Sequence, residues 1–232
     1  MRKRIIIIPA RGGSKGIPKK NIVKLSGYPL IYYTIKTALE AKIKGLIDEV
    51  FVSTDDNEIA EISSFYGAKV PYLRPINLAG DKSKSIDVIL HFLNHFEENE
   101  GEVDDIILLQ PTSPLRDIKD IEMSIEIYEN SSSDSLISCY LEEYINDLVM
   151  YEKKDDIAIP FNSNHNLGHR RQDLKETYVR NGAIYITNAD YIRNEKKIIS
   201  EKPAIYVMDR FKSINIDTQF DLEMIKWIMS KR

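Results

Sequence analysis

Nine basic residues and no acidic one occupy the first 39 positions of a 232-residue chain whose net charge is −4. Four of the nine fall in one turn, Arg11-Gly12-Gly13-Ser14-Lys15-Gly16-Ile17-Pro18-Lys19-Lys20-Asn21. Glycine lets a backbone bend tightly and approach a ligand, and cations nearby attract an anion. The turn follows Ile5-Ile6-Ile7-Ile8, an apolar run of the kind that forms a buried strand. The chemistry to expect is polyphosphate binding, and the preceding strand favours it over a plain basic surface turn. The turn is not a Walker A loop, because Lys15 precedes Gly16 and no hydroxyl follows the lysine. Nor is it the G-x-G-x-x-G dinucleotide fingerprint, because Gly12 and Gly13 are adjacent.

Three further segments carry polar groups at places where a site could form. In Tyr72–Ser85 (YLRPINLAGDKSKS), Arg74 could clamp a phosphate, and Ser83 and Ser85 could donate to one. Taken alone, that stretch reads as an ordinary polar loop. Gln110 opens Q-P-T-S-P-L-R directly after an apolar run, which puts its amide at a strand tip; a simple proline turn explains the same letters. Ser213-Ile214-Asn215-Ile216-Asp217 alternates like a strand, and period 2 predicts its three polar side chains on one face. Such an oxygen cluster suits Mg²⁺, which takes one or two carboxylates plus water and substrate phosphates. The competing reading is a strand edge whose Asp217 caps the next helix.

His91 and His95 stand four apart but lack the glutamate of H-E-x-x-H. Helical spacing puts them opposite Ile86, Ile89, Leu90 and Leu93, so they read as solvated surface. Cys139 lies in an apolar stretch and reads as an inert core thiol.

The elements that must position these groups alternate in type. Strands are expected at 4–10, 49–54, 68–73 and 105–110, and helices at 29–42, from Asp55 to Gly67, at 85–97 and at 118–129. Asp55 with Glu58 predicts the start of the second helix. This β-α-β-α rhythm implies a mostly parallel sheet covered by helices. It then fails over 142–181, a polar, irregular stretch; strands return at 182–187 and 204–208, and a helix closes the chain at 218–231. The expectation is one α/β domain over 1–232 with an insertion around 140–175. Ligands bind at the carboxyl ends of parallel strands, so the loops at 11–21, 54–57, 74–85 and 110–117 matter most.

Bulk composition agrees. Hydrophobic residues make up 43% and charged residues 29%, as in ordinary globular proteins. The negative net charge argues against nucleic acid as a partner. One cysteine excludes an intramolecular disulfide and predicts a reducing compartment. No apolar run approaches the length of a membrane span, and Pro9-Ala10-Arg11 cuts short the signal-like start. A cytoplasmic protein is expected.

Together the segments resemble the acylneuraminate cytidylyltransferases, also called CMP-sialic acid synthetases. The match comprises I-I-P-A-R-G-G-S-K-G-I-P-K-K-N at 7–21, V-S-T-D at 52–55, L-R-P at 73–75, L-L-Q-P-T-S-P-L-R at 108–116, R-N-G-A-I-Y-I at 180–186 and I-D-T-Q-F-D-L at 216–222. The resemblance implies a three-layer, Rossmann-like nucleotidyltransferase fold. It implies that CTP, assisted by Mg²⁺, reacts with a nonulosonic acid to give a CMP-sugar and pyrophosphate. N-acetylneuraminate, legionaminic acid and pseudaminic acid are all admissible sugars. By this analogy Arg11, Gly12, Gly13, Ser14, Lys15, Lys20 and Asn21 hold the nucleotide, and Arg74 and Ser85 continue its site. Gln110, Arg171 and Tyr185 would contact the sugar acid, Arg171 through its carboxylate. Lys20, Arg11 and Asp217 would carry catalysis, with Asp217 and Asn215 at the metal. The family often has D-I-D where this chain has Asn215-Ile216-Asp217, which makes Asp217 the safer ligand. Family members commonly dimerise through an insertion in the 140–175 region, so a homodimer is expected. A non-catalytic nucleotide-binding module and a nicotinamide-dependent dehydrogenase are the readings from other classes, and the missing G-x-G-x-x-G argues against the second.

Overall fold

The computed structural model describes residues 2–168 and 175–231. Its strands are β1 (Arg4–Pro9), β2 (Lys24–Leu25), β3 (Tyr28–Pro29), β4 (Glu49–Ser53), β5 (Asp105–Leu109), β6 (Ser135–Glu142), β7 (Tyr151–Lys154), β8 (Ile157–Pro160), β9 (Thr177–Asn188) and β10 (Ala204–Val207). Its α-helices are α1 (Leu30–Ile43), α2 (Asn57–Phe65), α3 (Ser85–Glu100), α4 (Ile118–Glu129), α5 (Ala189–Glu195) and α6 (Gln219–Met229).

Six strands form the main sheet in the order β10-β6-β9-β5-β1-β4. β1 pairs in parallel with both β4 and β5, and β10 pairs in parallel with β6. Only β9 runs against its neighbours, β5 and β6. The four isoleucines of β1 are fully buried, as a central strand covered on both faces requires. Ile6 and Ile8 face a core shared with Ile31 and Ile35 of α1 and Ile121 and Ile125 of α4. Ile5 and Ile7 face the opposite core, with Phe92 and Phe96 of α3 and Ile192 of α5. These are the three layers the sequence implied. The chain leaves β1 for β4 on one side and later returns to β5 on the other, so a crevice opens at the carboxyl end of β1.

A third apolar cluster lies outside the sheet. It packs Ile17 and Leu30 against Ile216 and against Leu222 and Ile225 of α6. This cluster brings the 11–21 turn and the last forty residues together.

Several local expectations are corrected. The cap of α2 is Asp56, not Asp55: its carboxylate accepts the Ile59 N–H at 3.1 Å. Residues 68–73 form no strand and touch the sheet only through bridges at Lys69 and Leu73. Residues 213–217 form no strand either; Ser213 and Asn215 both bond Asn181, whereas Asp217 pairs with Lys20. Asp217 does not cap α6; Thr218 and Asp221 do, through a capping box. The irregular stretch carries the β7–β8 hairpin, and β9 already begins at Thr177. His91 and His95 are half-buried, because the Tyr72 ring packs edge-on against both, at 4.8 and 4.6 Å. Cys139 is buried in β6, and burial pushes its thiol pKa up.

Candidate active site

The carboxyl ends of β1 and β5 open into a cleft of about 450 Å³. One wall is the 11–21 turn. Asn21 fixes its shape by donating Nδ2–H to the Arg11 carbonyl at 2.9 Å. Asp55 holds the other side of the turn, accepting the Gly12 N–H at 3.1 Å. Lys19 adopts a left-handed conformation (φ 50°) just before a 3₁₀ turn at Lys20–Ile22. A lysine there carries backbone strain, which is common where a side chain must be aimed. Gly16 is required by contact rather than by dihedral angle: a Cβ there would lie 2.4 Å from the Asp217 carbonyl oxygen. Gly13 faces open space.

Lys20 joins the two ends of the chain. Its ammonium donates to the Ile216 carbonyl and to Asp217 Oδ1, both at 2.9 Å. Its side chain is only 16% exposed, against 72% for Asp217. Opposite, Arg11 and Lys15 both pair with Asp81, each at 2.9 Å. Their hydrogen bonds, Lys15 first, hold the Asp81 carboxyl below its usual pKa. Asp81 therefore supplies negative charge at the mouth of the cation cluster.

Arg74 is the most unusual group in the cleft. Its backbone N–H is fixed to the Thr54 carbonyl at 2.7 Å, and its side chain is 5% exposed. Nε and Nη2 have no hydrogen-bond partner among the described residues. The closest carboxylate, Asp55, stands 3.6 Å away. Burial pulls the guanidinium pKa down, and Asp55 opposes that shift. A buried cation with unused donors is costly unless an anion completes it. Ser85 begins α3 beside it, and this 16-residue helix has no side-chain N-cap. Its free N–H groups and positive dipole end add to the pull on an anion.

Gln110 follows β5 and lines the floor. Gly182 has φ 74°, and a Cβ there would lie 2.9 Å from Gln110 Oε1, so the glycine makes room for the amide. Arg116, six residues after Gln110, serves the fold instead. It is buried and donates to the Ala183 carbonyl at 2.7 Å and to Thr34 Oγ1 at 2.8 Å, and burial lowers its pKa to about 10.

The structure thus brings Arg11, Ser14, Lys15, Lys20, Asn21 and Arg74 to one cleft, with Ser85, Gln110 and Asp217. Gly12 and Gly13 shape the turn without lining the cleft. Asn215 stands behind the wall, its amide engaged by Ser113 and Asn181. Tyr185 packs against the core that holds Ile7 and Phe92 and does not line the cleft; the Arg180 guanidinium lies 6.0 Å over its ring. Arg171 lies outside the described residues. Sequence reasoning passed over Asp55 and Asp81. A lone acid between Gly80 and Lys82, in a loop already singled out for its arginine, was the available signal for Asp81. Among the described residues no cluster of three or more acidic, histidine or cysteine side chains could cage a metal. The donor set, the exposed carboxylates of Asp217 and Asp81 beside cations, fits an ion that arrives sharing its coordination with phosphates.

A mostly parallel, doubly covered sheet with a cationic cleft at its switch point defines a nucleotidyltransferase-type α/β protein. The family model for cytidylyltransferases matches residues 5–232, and the chain belongs to that family. It is 37% identical to an N-acylneuraminate cytidylyltransferase of Streptococcus agalactiae serotype V over 94% of its own length, and spans about half (51%) of that relative. It is 34% identical to a pseudaminic acid cytidylyltransferase of Campylobacter jejuni serotype O:2, covering 97% of this chain and 95% of the relative. A CMP-N,N'-diacetyllegionaminic acid synthase of Legionella pneumophila is 35% identical, with the same coverage of both chains. The fold matches a CMP:2-keto-3-deoxy-manno-octonic acid synthetase solved with CTP, at TM-score 0.69, 19% identity and 99% coverage of each chain.

Proposed function

We propose that the chain joins CTP to a nonulosonic acid, giving the CMP-sugar and pyrophosphate. The observation that carries the reading is the buried Arg74 with unused donors, set among Arg11, Lys15 and Lys20. Four cations around one cleft suit a triphosphate. Nucleotidyl transfer depends chiefly on position and charge neutralisation, which fixed donors supply without reorganising. In this reading Lys20, Arg11 and Arg74 hold the triphosphate as negative charge builds on the departing pyrophosphate. Gln110 orients the sugar, and the family resemblance assigns Arg171 to the sugar's carboxylate. The sugar's anomeric hydroxyl forms the new P–O bond at the α-phosphorus and releases its proton to solvent, and the bond to pyrophosphate breaks. Asp217 would hold Mg²⁺, which supplies charge neutralisation at the phosphates.

Two relatives of nearly the same length, named for pseudaminic and legionaminic acids, support a sialic-acid-like sugar as strongly as the Streptococcus relative supports N-acetylneuraminate. Pyrophosphate release from CTP, assayed with all three acids in parallel, tests the reading. Release with one or more acids is expected, and none with any acid would leave a nucleotide-binding module. We further read the β7–β8 hairpin, with Tyr151, Ile157 and Ile159 exposed, as the dimer contact. No helix among the described residues is long and apolar enough to cross a membrane.

Two variants probe the charges. Asp217→Ala is expected to abolish the Mg²⁺ dependence together with the activity; full Mg²⁺-dependent turnover in that variant places the ligand elsewhere. Asp81→Asn is expected to tighten CTP binding up to about fivefold, because it removes a carboxylate competing for Arg11 and Lys15; pairs this exposed are individually weak. Calorimetric titration with CTP reads the change, and weaker binding would mean that Asp81 contacts the nucleotide itself.

A further inference from the structure

Asn215 stands where the cation reading of the chain wanted an oxygen ligand, yet both ends of its amide are already in use. Ser113 Oγ donates to its Oδ1 at 2.5 Å, and its Nδ2–H donates to the Asn181 carbonyl. The orientation follows from chemistry: a carbonyl has no hydrogen to give, so the end facing Asn181 must be the NH₂. Asn181 is itself locked. Its Oδ1 accepts from Ser138 Oγ at 2.6 Å and from the Ala183 N–H at 3.1 Å, and its Nδ2 donates to Ser213 Oγ at 2.8 Å. The network ties β6, β9, the 110–116 loop and the 209–217 segment at one point. Directly over that point lies Gly182, in its left-handed conformation, against Gln110. A Cβ at Gly182 would meet Gln110 Oε1 at 2.9 Å and Asn215 Nδ2 at 3.6 Å, so the two amides share the space that the missing side chain leaves. An ionised aspartate at 215 has no donor for the Asn181 carbonyl and would set a carboxylate against it.

We propose that Asn215 is a positioning residue for Gln110 and provides no ligand to a cation. Through the Asn181–Gly182 corner it fixes the floor on which the sugar acid rests. Asp217 is then the one carboxylate that residues 213–217 offer an ion. The proposal rests on the reading of the cleft as a site for CTP and a sugar acid.

Asn215→Asp separates the two roles. The free protein is melted at neutral pH, Mn²⁺ binding in the presence of CTP is followed by the paramagnetic resonance of free Mn²⁺, and KM is measured for each substrate. The expected variant melts lower and binds Mn²⁺ within about twofold of the parent. Its KM for the sugar acid rises about tenfold, while its KM for CTP stays put. A variant that binds Mn²⁺ ten times more tightly, with melting unchanged, overturns the proposal. So does an equal rise in both KM values. If Asn215→Asp does not fold, Asn215→Ala takes its place: unchanged Mn²⁺ affinity supports the positioning role, and a fivefold or larger loss refutes it. The Mn²⁺ measurement uses CTP without any sugar acid, so its outcome is separate from whether an acid reacts.

Discussion

Lys20→Ala is expected to lower turnover by about 10²–10³, the usual cost of removing one fixed donor from developing negative charge. The position of the ammonium is the reason. It lies between the last strand-end loop and the phosphate turn, held by the Ile216 carbonyl and by Asp217. Lys20 begins a 3₁₀ turn, and the strained Lys19 before it helps to fix its direction. The apolar contact between Ile17 and Ile216 holds the two segments together without the lysine, so the fold should survive. Circular dichroism and melting check the fold, and pyrophosphate release under saturating CTP checks the rate. Near-normal turnover in a folded Lys20→Ala protein would remove the lysine from the mechanism.

Arg74→Met should separate binding from stability. Hydrogen bonds to charged partners contribute about 1.5–3 kcal/mol each, so losing the two unused donors should weaken CTP binding by about 10²–10⁴. The free protein should melt close to the parent's temperature. Removing a buried guanidinium with unmet donors relieves the empty fold, which offsets the cost of leaving Asp55 without its cation. Arg74→Lys keeps the charge but loses the planar fork, and should recover only part of the affinity. CTP titration and a melting curve on each variant decide it. Unchanged affinity, or a large fall in melting temperature, would make Arg74 a structural residue.

The sheet was legible because burial on both faces leaves an unambiguous mark: Ile5–Ile8 and Ile106–Leu109 are continuous apolar runs, and both became central strands. The 11–21 turn was legible for a similar reason, since glycine and lysine crowd together between two apolar segments. The failures share a different cause. At 213–217 the alternation of polar and apolar letters mimics a strand. The polar groups there answer distant partners instead: Ser213 and Asn215 both bond Asn181, Asn215 also bonds Ser113, and Asp217 bonds Lys20. Those partners lie between 32 and 197 residues away, beyond any local pattern. The cap of α2 was misplaced by one residue because Asp55 and Asp56 offer equal chemistry. Only the three-dimensional approach of Gly12 and Arg74 to Asp55 decides which aspartate is free to cap. Tyr185, assigned to the sugar acid by resemblance, lies in β9 and packs against the core that holds Ile7 and Phe92, outside the lining of the cleft.

The central claim is that one cationic cleft brings the α-phosphorus of CTP to a sugar acid. Phosphorus NMR of CTP, Mg²⁺ and each nonulosonic acid with the protein measures this directly. The account predicts a new phosphodiester resonance from the CMP-sugar, growing in step with pyrophosphate and requiring one of the acids. Loss of CTP to CMP and pyrophosphate without any phosphodiester, or no change with every acid, would contradict it.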